Sequence, residues 1–267
     1  MFNTTNTINT FKNVLLAGAV VTSFAASSAQ AASIIGLVDG KSIVTIDPKT
    51  RKVTQTANIK GAAALLGIDV RPADGMIYGV TTDGMIVTVD AKTGQATMKS
   101  KLSDVLKAGV VATVDFNPVA DRMRLMGSDG TSLRINVEDG KATVDGSHKY
   151  KEGDVNAAKT PRVVAGAYTN SWKGTTATAL YNIDAATESL VSQAPPNDGV
   201  LNTIGALGVK LTGPVAFNIV AQQPDRNDAW LSTGGALYSV DLKTGKATMA
   251  GKIDGLKGKL TDIAWMD

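Results

Sequence analysis

Cysteine is absent from all 267 residues, and histidine occurs once. The first absence removes disulfides, thiol nucleophiles and cysteine-ligated zinc, so any fold must rest on sheet packing and turn chemistry. The second excludes a multi-histidine metal cluster. It also makes any Ser-His-Asp triad depend on His148, which lies in the polar stretch Gly146-Ser147-His148-Lys149-Tyr150-Lys151 and reads as exposed. No Gly-x-Ser-x-Gly elbow, phosphate-cradling loop or dinucleotide fingerprint occurs. Charge of one sign is not massed anywhere: the net charge is +3 with acids and bases interspersed, which excludes a nucleic-acid footprint. No apolar run reaches the roughly 20 residues of a comfortable membrane helix.

One shorter apolar run opens the chain. Lys12 precedes Val14-Leu15-Leu16-Ala17-Gly18-Ala19-Val20-Val21, which continues through Phe24-Ala25-Ala26 to Ala29-Gln30-Ala31. A charged start, a short apolar stretch and an Ala-x-Ala site form the pattern of a signal peptide, here residues 1–31 with cleavage expected after Ala31. Residues 32–267 then make a single domain. The expected product is soluble, with no integral membrane segment once the leader is removed. Its expected location is the periplasm or the extracellular medium.

From there on, the dominant feature is a repeat. Ile43-Val44-Thr45-Ile46-Asp47-Pro48-Lys49-Thr50-Arg51 is matched by Ile86-Val87-Thr88-Val89-Asp90-Ala91-Lys92-Thr93-Gly94. Further copies contain Leu133-Arg134-Ile135-Asn136, Leu180-Tyr181-Asn182-Ile183-Asp184 and Leu237-Tyr238-Ser239-Val240-Asp241. The anchoring Asp or Asn recurs in steps of 43, 46, 48 and 57, in or just above the size of a propeller blade. In each copy, alternating β-branched and apolar residues predict a strand. The Asp predicts a turn whose N–H groups it accepts, and a following Gly permits positive φ. These turns are assigned to the hairpin between the third and fourth strands of each sheet. A calcium-loop reading of the same Asp residues lacks the acceptors that should follow at metal-loop spacing, so calcium is not indicated and no cofactor is expected.

Opening strands precede the repeat, as in Leu66-Gly67-Ile68-Asp69-Val70 and Val114-Asp115-Phe116-Asn117-Pro118. The first unit lacks one, and Leu260-Thr261-Asp262-Ile263-Ala264-Trp265 supplies it from the far end of the chain. This permutation predicts an all-β, five-bladed propeller closed by its C-terminal strand, with no exposed sheet edge in the ring. A β-sandwich or a six-bladed ring are the alternatives. The units map to 35–61, 62–102, 111–147, 161–194 and 205–254. A short helix is expected near Lys101–Lys107, and a surface loop over 222–228.

Val114-Asp115-Phe116-Asn117-Pro118 with Asp121-Arg122-Met123-Arg124, Leu133-Arg134-Ile135-Asn136, Ala167-Tyr168-Thr169-Asn170 and Gln193-Ala194-Pro195-Pro196-Asn197-Asp198-Gly199 together resemble a bacterial family of secreted or surface-attached proteins, the domain of unknown function DUF4394. The likeness covers residues 34–265. It implies the repeated β domain and export, and carries no activity. No anchoring module follows the repeats up to Asp267, so a free protein is expected.

Two places stand out as candidate ligand sites. In the third unit, Arg122, Arg124 and Arg134 come together with Asp115, Asn117, Asp129 and Asn136. Guanidinium forks suit carboxylate, phosphate or sulfate groups, including those of acidic glycans; the alternative is a set of Arg–Asp pairs, such as Arg122 or Arg134 with Asp115, that tie blades together. The second place is Tyr168-Thr169-Asn170-Ser171-Trp172 with Asn197 and Asp198, where aromatic faces can stack on sugars or simply brace a loop. The expected protein is therefore a monomeric, non-enzymatic binding or scaffold module of the envelope or extracellular space, with a glycan or an envelope protein as partner. A carboxylate-based hydrolase of a glycan or lactone at the channel mouth is the alternative.

Overall fold

The computed structural model describes residues 1–3, 32–223 and 226–266. Residues 4–31 of the expected signal peptide lie outside the described residues. The chain from Ala31 onward forms one compact unit.

Alternating side chains and Asp- or Gly-bearing turns produce 21 strands among the described residues. The first sheet contains β1 (Ser33–Val38), β2 (Ser42–Ile46) and β3 (Val53–Asn58). The second contains β4 (Leu65–Val70), β5 (Ile77–Thr81), β6 (Met85–Val89) and β7 (Ala96–Lys101). The third contains β8 (Ala112–Asn117), β9 (Arg122–Gly127), β10 (Ser132–Ile135) and β11 (Ala142–Val144). The fourth holds β12 (Lys149–Tyr150), β13 (Val163–Tyr168), β14 (Leu180–Asp184), β15 (Ser189–Gln193) and β16 (Val200–Ala206). The fifth holds β17 (Val215–Gln223), β18 (Arg226–Thr233), β19 (Ala236–Val240) and β20 (Ala247–Lys252). Finally, β21 (Leu260–Met266) returns to the first sheet.

There β21 runs antiparallel to β1, pairing Ile34 with Trp265 and Gly36 with Ile263. The inner strands β21, β4, β8, β13 and β17 each lie against the next, and β17 lies against β21. Five sheets in a closed ring make a five-bladed β-propeller, the architecture that the permuted repeat predicts.

Apolar cores fill the seams between blades. Tyr78 and Val80 of the second blade pack with Phe116, Met123 and Leu125 of the third, and Tyr78 meets Phe116 edge to face at 5.4 Å. Comparable clusters occupy each of the other four seams. At about 25 cal/mol per Å² of apolar surface buried, these seams are the main attraction holding the ring.

The repeat turns form as their chemistry requires. Asp47 accepts the N–H groups of Lys49 and Thr50 at 2.9 and 2.7 Å, and Asp90 accepts those of Lys92 and Thr93 at 3.1 and 2.8 Å. Gly94, Gly140 and Gly245 take positive φ at the fifth position, where Arg51 and Glu188 do the same in the first and fourth blades.

Several expectations are corrected. In the fourth blade the repeat turn joins the second and third strands, because β16 belongs to that blade and extends it past residue 194. Lys101–Lys107 contains no helix; β7 ends there and turns follow. Most of 222–228 is strand, since β17 and β18 form a long hairpin paired up to Gln223 and Arg226. His148 is buried, at 8% exposure, and neither ring nitrogen has a hydrogen-bond partner among the described residues. Burial, reinforced by the charge of Arg124, lowers its pKa to about 4 and keeps the ring neutral.

Candidate functional site

Inner strands are buried on both sides, so an acid within one requires a partner. Three of the five carry one: Asp262 on β21, Asp69 on β4 and Asp115 on β8. Each accepts a backbone N–H from the inner strand of the next blade. Asp262 takes that of Ile68 at 2.9 Å, Asp69 that of Phe116 at 2.8 Å, and Asp115 that of Tyr168 at 2.9 Å. On β17 the amide of Asn218 donates to Asp69 at 3.4 Å. The inner strand of the fourth blade offers only Ala165-Gly166-Ala167 along this stretch.

Burial dominates the electrostatics of these acids. It pushes the Asp69 carboxyl up to about 7 against the pull of its N–H donors. Asp115 and Asp262 are raised well above the carboxylate range by burial, with their neighbouring acids adding to the shift. Burial therefore favours the protonated forms around the axis, while the N–H bonds across the seams pull the other way.

Above Asp69, at the C-terminal ends of the inner strands, a cavity of 270 Å³ opens at the channel mouth. Its walls include Asp69, Arg71, Trp172, Lys173, Asn218 and Trp265. Trp265 stacks on Trp230 at 6.3 Å and 22°, and both indole N–H groups are buried without an acceptor among the described residues. Arg71 is held by two bonds to Asp121, at 2.8 and 2.6 Å, and reaches Tyr78, Asp74 and Glu138. Hydrogen bonds to Asp121 first, then to Tyr78 and Glu138, raise its pKa against the effect of burial and keep it charged. A hollow at the opposite end is lined mainly by small and aliphatic residues such as Leu65, Val111 and Pro214, so the Trp-bearing mouth has the better ligand chemistry.

The arginine group lies elsewhere and divides. Arg124 is 1% exposed and donates to Tyr168 Oη at 3.1 Å, Ser132 Oγ at 3.0 Å, Asp145 Oδ2 at 2.5 Å and Asn197 Oδ1 at 2.8 Å. Arg134 binds the same Asp145 at 2.8 Å. The pairing with Asp115 considered from sequence does not form, because Asp115 faces the N–H of Tyr168. Arg122 is exposed, and among the described residues it bonds to the nearby carbonyls of Ala120 and Asp121.

The remaining candidates hold local structure. Asn117 caps the N–H groups of Val119 and Ala120, Asn136 accepts that of Glu138, and Asp129 accepts that of Thr131. Asn170 exchanges amide bonds with Asn227, and Asp198 is exposed at the turn after β15. Tyr168 and Asn197 thus meet Arg124 in one network, while Asn170 and Asp198 stand apart from it. Sequence reasoning did not single out Asp69, Asp145, Lys173 or Trp265. A signal for Asp69 was present: Asp recurs inside otherwise apolar opening strands, at 69, 115 and 262. Among the described residues no group of three acid, histidine or cysteine side chains has the geometry to hold a metal ion.

The family model described as a domain of unknown function, DUF4394, matches residues 42–264. No curated protein matches the chain in sequence. Among solved structures, a protein of unknown function from Bacteroides thetaiotaomicron is 12% identical, with a TM-score of 0.53 over 86% of this chain and 63% of its own. Another protein of unknown function, from Bacteroides caccae, is 16% identical, with a TM-score of 0.42 over 84% and 73%. An auxiliary nutrient binding protein from Bacteroides ovatus is 14% identical, with a TM-score of 0.47 over 82% and 58%. The chain thus spans less than two thirds of the length of two of these three, and at such identities the likeness bears on fold alone.

Proposed function

The chain belongs to the DUF4394 family, and from that premise we propose that it is an exported, non-enzymatic binding module that seats its ligand in the channel-mouth cavity. The observation behind this reading is the cavity wall: an indole from the loop after β13 and a second from β21 line a pocket together with amide, hydroxyl and ammonium groups. Aromatic faces with a few polar groups suit ring-shaped polar ligands such as sugars. The Ala29-Gln30-Ala31 pattern, with β1 starting at Ser33, supports export to the periplasm or the medium.

A second reading, a carboxylate-based hydrolase, is favoured by Asp69, an acid with a raised pKa at the cavity floor. Against it, glycoside hydrolysis uses two carboxylates flanking the bond, and Asp115 and Asp262 do not line the cavity.

A thermal-shift screen of residues 32–267 with neutral and acidic glycans, cell-wall fragments and lactones tests both readings. A binding module is stabilised by its ligand without turning it over, and Trp172→Ala removes the shift while melting like wild type. Turnover of any of these compounds that Asp69→Asn abolishes would establish the hydrolase instead.

A further inference from the structure

Resting on the binding reading, the charges around the cavity also specify a ligand class. Three charged side chains line it: Asp69, Arg71 and Lys173. Arg71 is already matched by Asp121, Asp74 and Glu138. Asp69 is 7% exposed, and burial favours its neutral form. Lys173 is exposed and joins none of the ion pairs among the described residues. It follows Trp172 directly in the chain, so the unmatched ammonium and the indole border the same cavity.

We infer that the cavity takes a saccharide bearing a carboxylate, its ring against Trp172 and its acid group on Lys173. A sugar ring presents C–H groups to the indole face, while its hydroxyls can meet the side chains of Ser171 and Asn218. One exposed ion pair is worth no more than about fivefold in affinity. Charge therefore selects among saccharides, and the aromatic wall provides the larger part of the attraction.

Asp69 gives this ligand class a pH signature. The ionisable groups around it are Asp115 on β8, Asp262 on β21, Arg71 at the end of its own strand and Lys173 after β13; β17 presents the neutral amide of Asn218. When Asp69 ionises, a negative charge appears at the cavity floor and opposes an acidic ligand. Affinity for the acid then falls from pH 6 to pH 8, whereas a neutral analogue is unaffected.

Calorimetric titration of residues 32–267 with galacturonate and glucuronate oligomers and their methyl esters, at pH 6 and pH 8, tests this. The acids are expected to bind about fivefold more tightly than the esters at pH 6. Lys173→Gln is expected to erase that difference, Asp69→Asn the pH dependence, and Trp172→Ala all binding. Equal affinity for acid and ester, or indifference to Lys173→Gln, overturns the acidic class and leaves the cavity as a site. So does a neutral glycan that stabilises the protein when no acid binds. If no saccharide of either kind binds, or if binding survives Trp172→Ala, the cavity reading falls as well.

Discussion

Arg122 and Arg124 stand two residues apart on β9 and have opposite surroundings. Arg122 is solvated, whereas Arg124 is enclosed and shares Asp145, itself 4% exposed at the side chain, with Arg134. Arg124→Ala leaves a buried carboxylate with only a half-exposed partner, and a loss of about 3–5 kcal/mol is expected in urea unfolding. Arg122→Ala should lie within about 0.5 kcal/mol of wild type in the same measurement. The sequence reveals that these arginines are unusual but not which acid they meet, because Asp145 follows β11 in a stretch without any motif. Asp69 illustrates the same limit. Its raised pKa means that the folded state holds the proton more tightly than the unfolded chain, whose carboxyl titrates near 3.8. Its contribution is complete below about pH 4 and declines as pH rises to 7. Asp69→Asn, which preserves an acceptor for Phe116, should reduce the pH dependence of unfolding free energy over that window and leave the share of Asp115 and Asp262 in place; an unchanged curve would contradict the burial argument.

At the level of strand and turn, the repeat hairpins were legible because their causes are local: an Asp, its acceptor geometry and a residue able to take positive φ. Blade four departed because its outer hairpin uses Pro-Pro-Asn-Asp-Gly in place of the repeat motif, so β16 could not be assigned to it from the pattern. The turn glycines differ in what surrounds them. A Cβ on Gly140 would overlap the backbone carbonyl of Lys101, while one on Gly75, also at positive φ, would meet nothing. Gly75→Ala should cost about 1–2 kcal/mol from backbone strain alone. Gly140→Ala should cost clearly more, since the connection between blades two and three must also shift. Thermal unfolding of the two variants side by side checks this, and equal losses would mean that the close approach is easily relieved.

For the molecule as a whole, ring closure was readable because the missing first strand of one blade reappears at the far end of the sequence. The channel-mouth cavity was not, since its walls come from β4, β17, β21 and the loop after β13, which only the closed ring brings together. Removal of residues 260–267 should abolish the single cooperative melting transition, because blade one loses its inner strand and two seams lose a wall. A synthetic peptide of residues 260–267, added to the shortened protein, is expected to restore the transition, and a shortened protein that melts like the full one would refute the latch. The pairing of β1 with β21 also sets a clock on biogenesis. Among the described residues twenty strands precede the one that closes the ring, so the growing polypeptide remains an open arc until β21 has been made. An arc with unsatisfied ends can still be drawn linearly through a narrow pore, whereas a closed ring would first have to be broken.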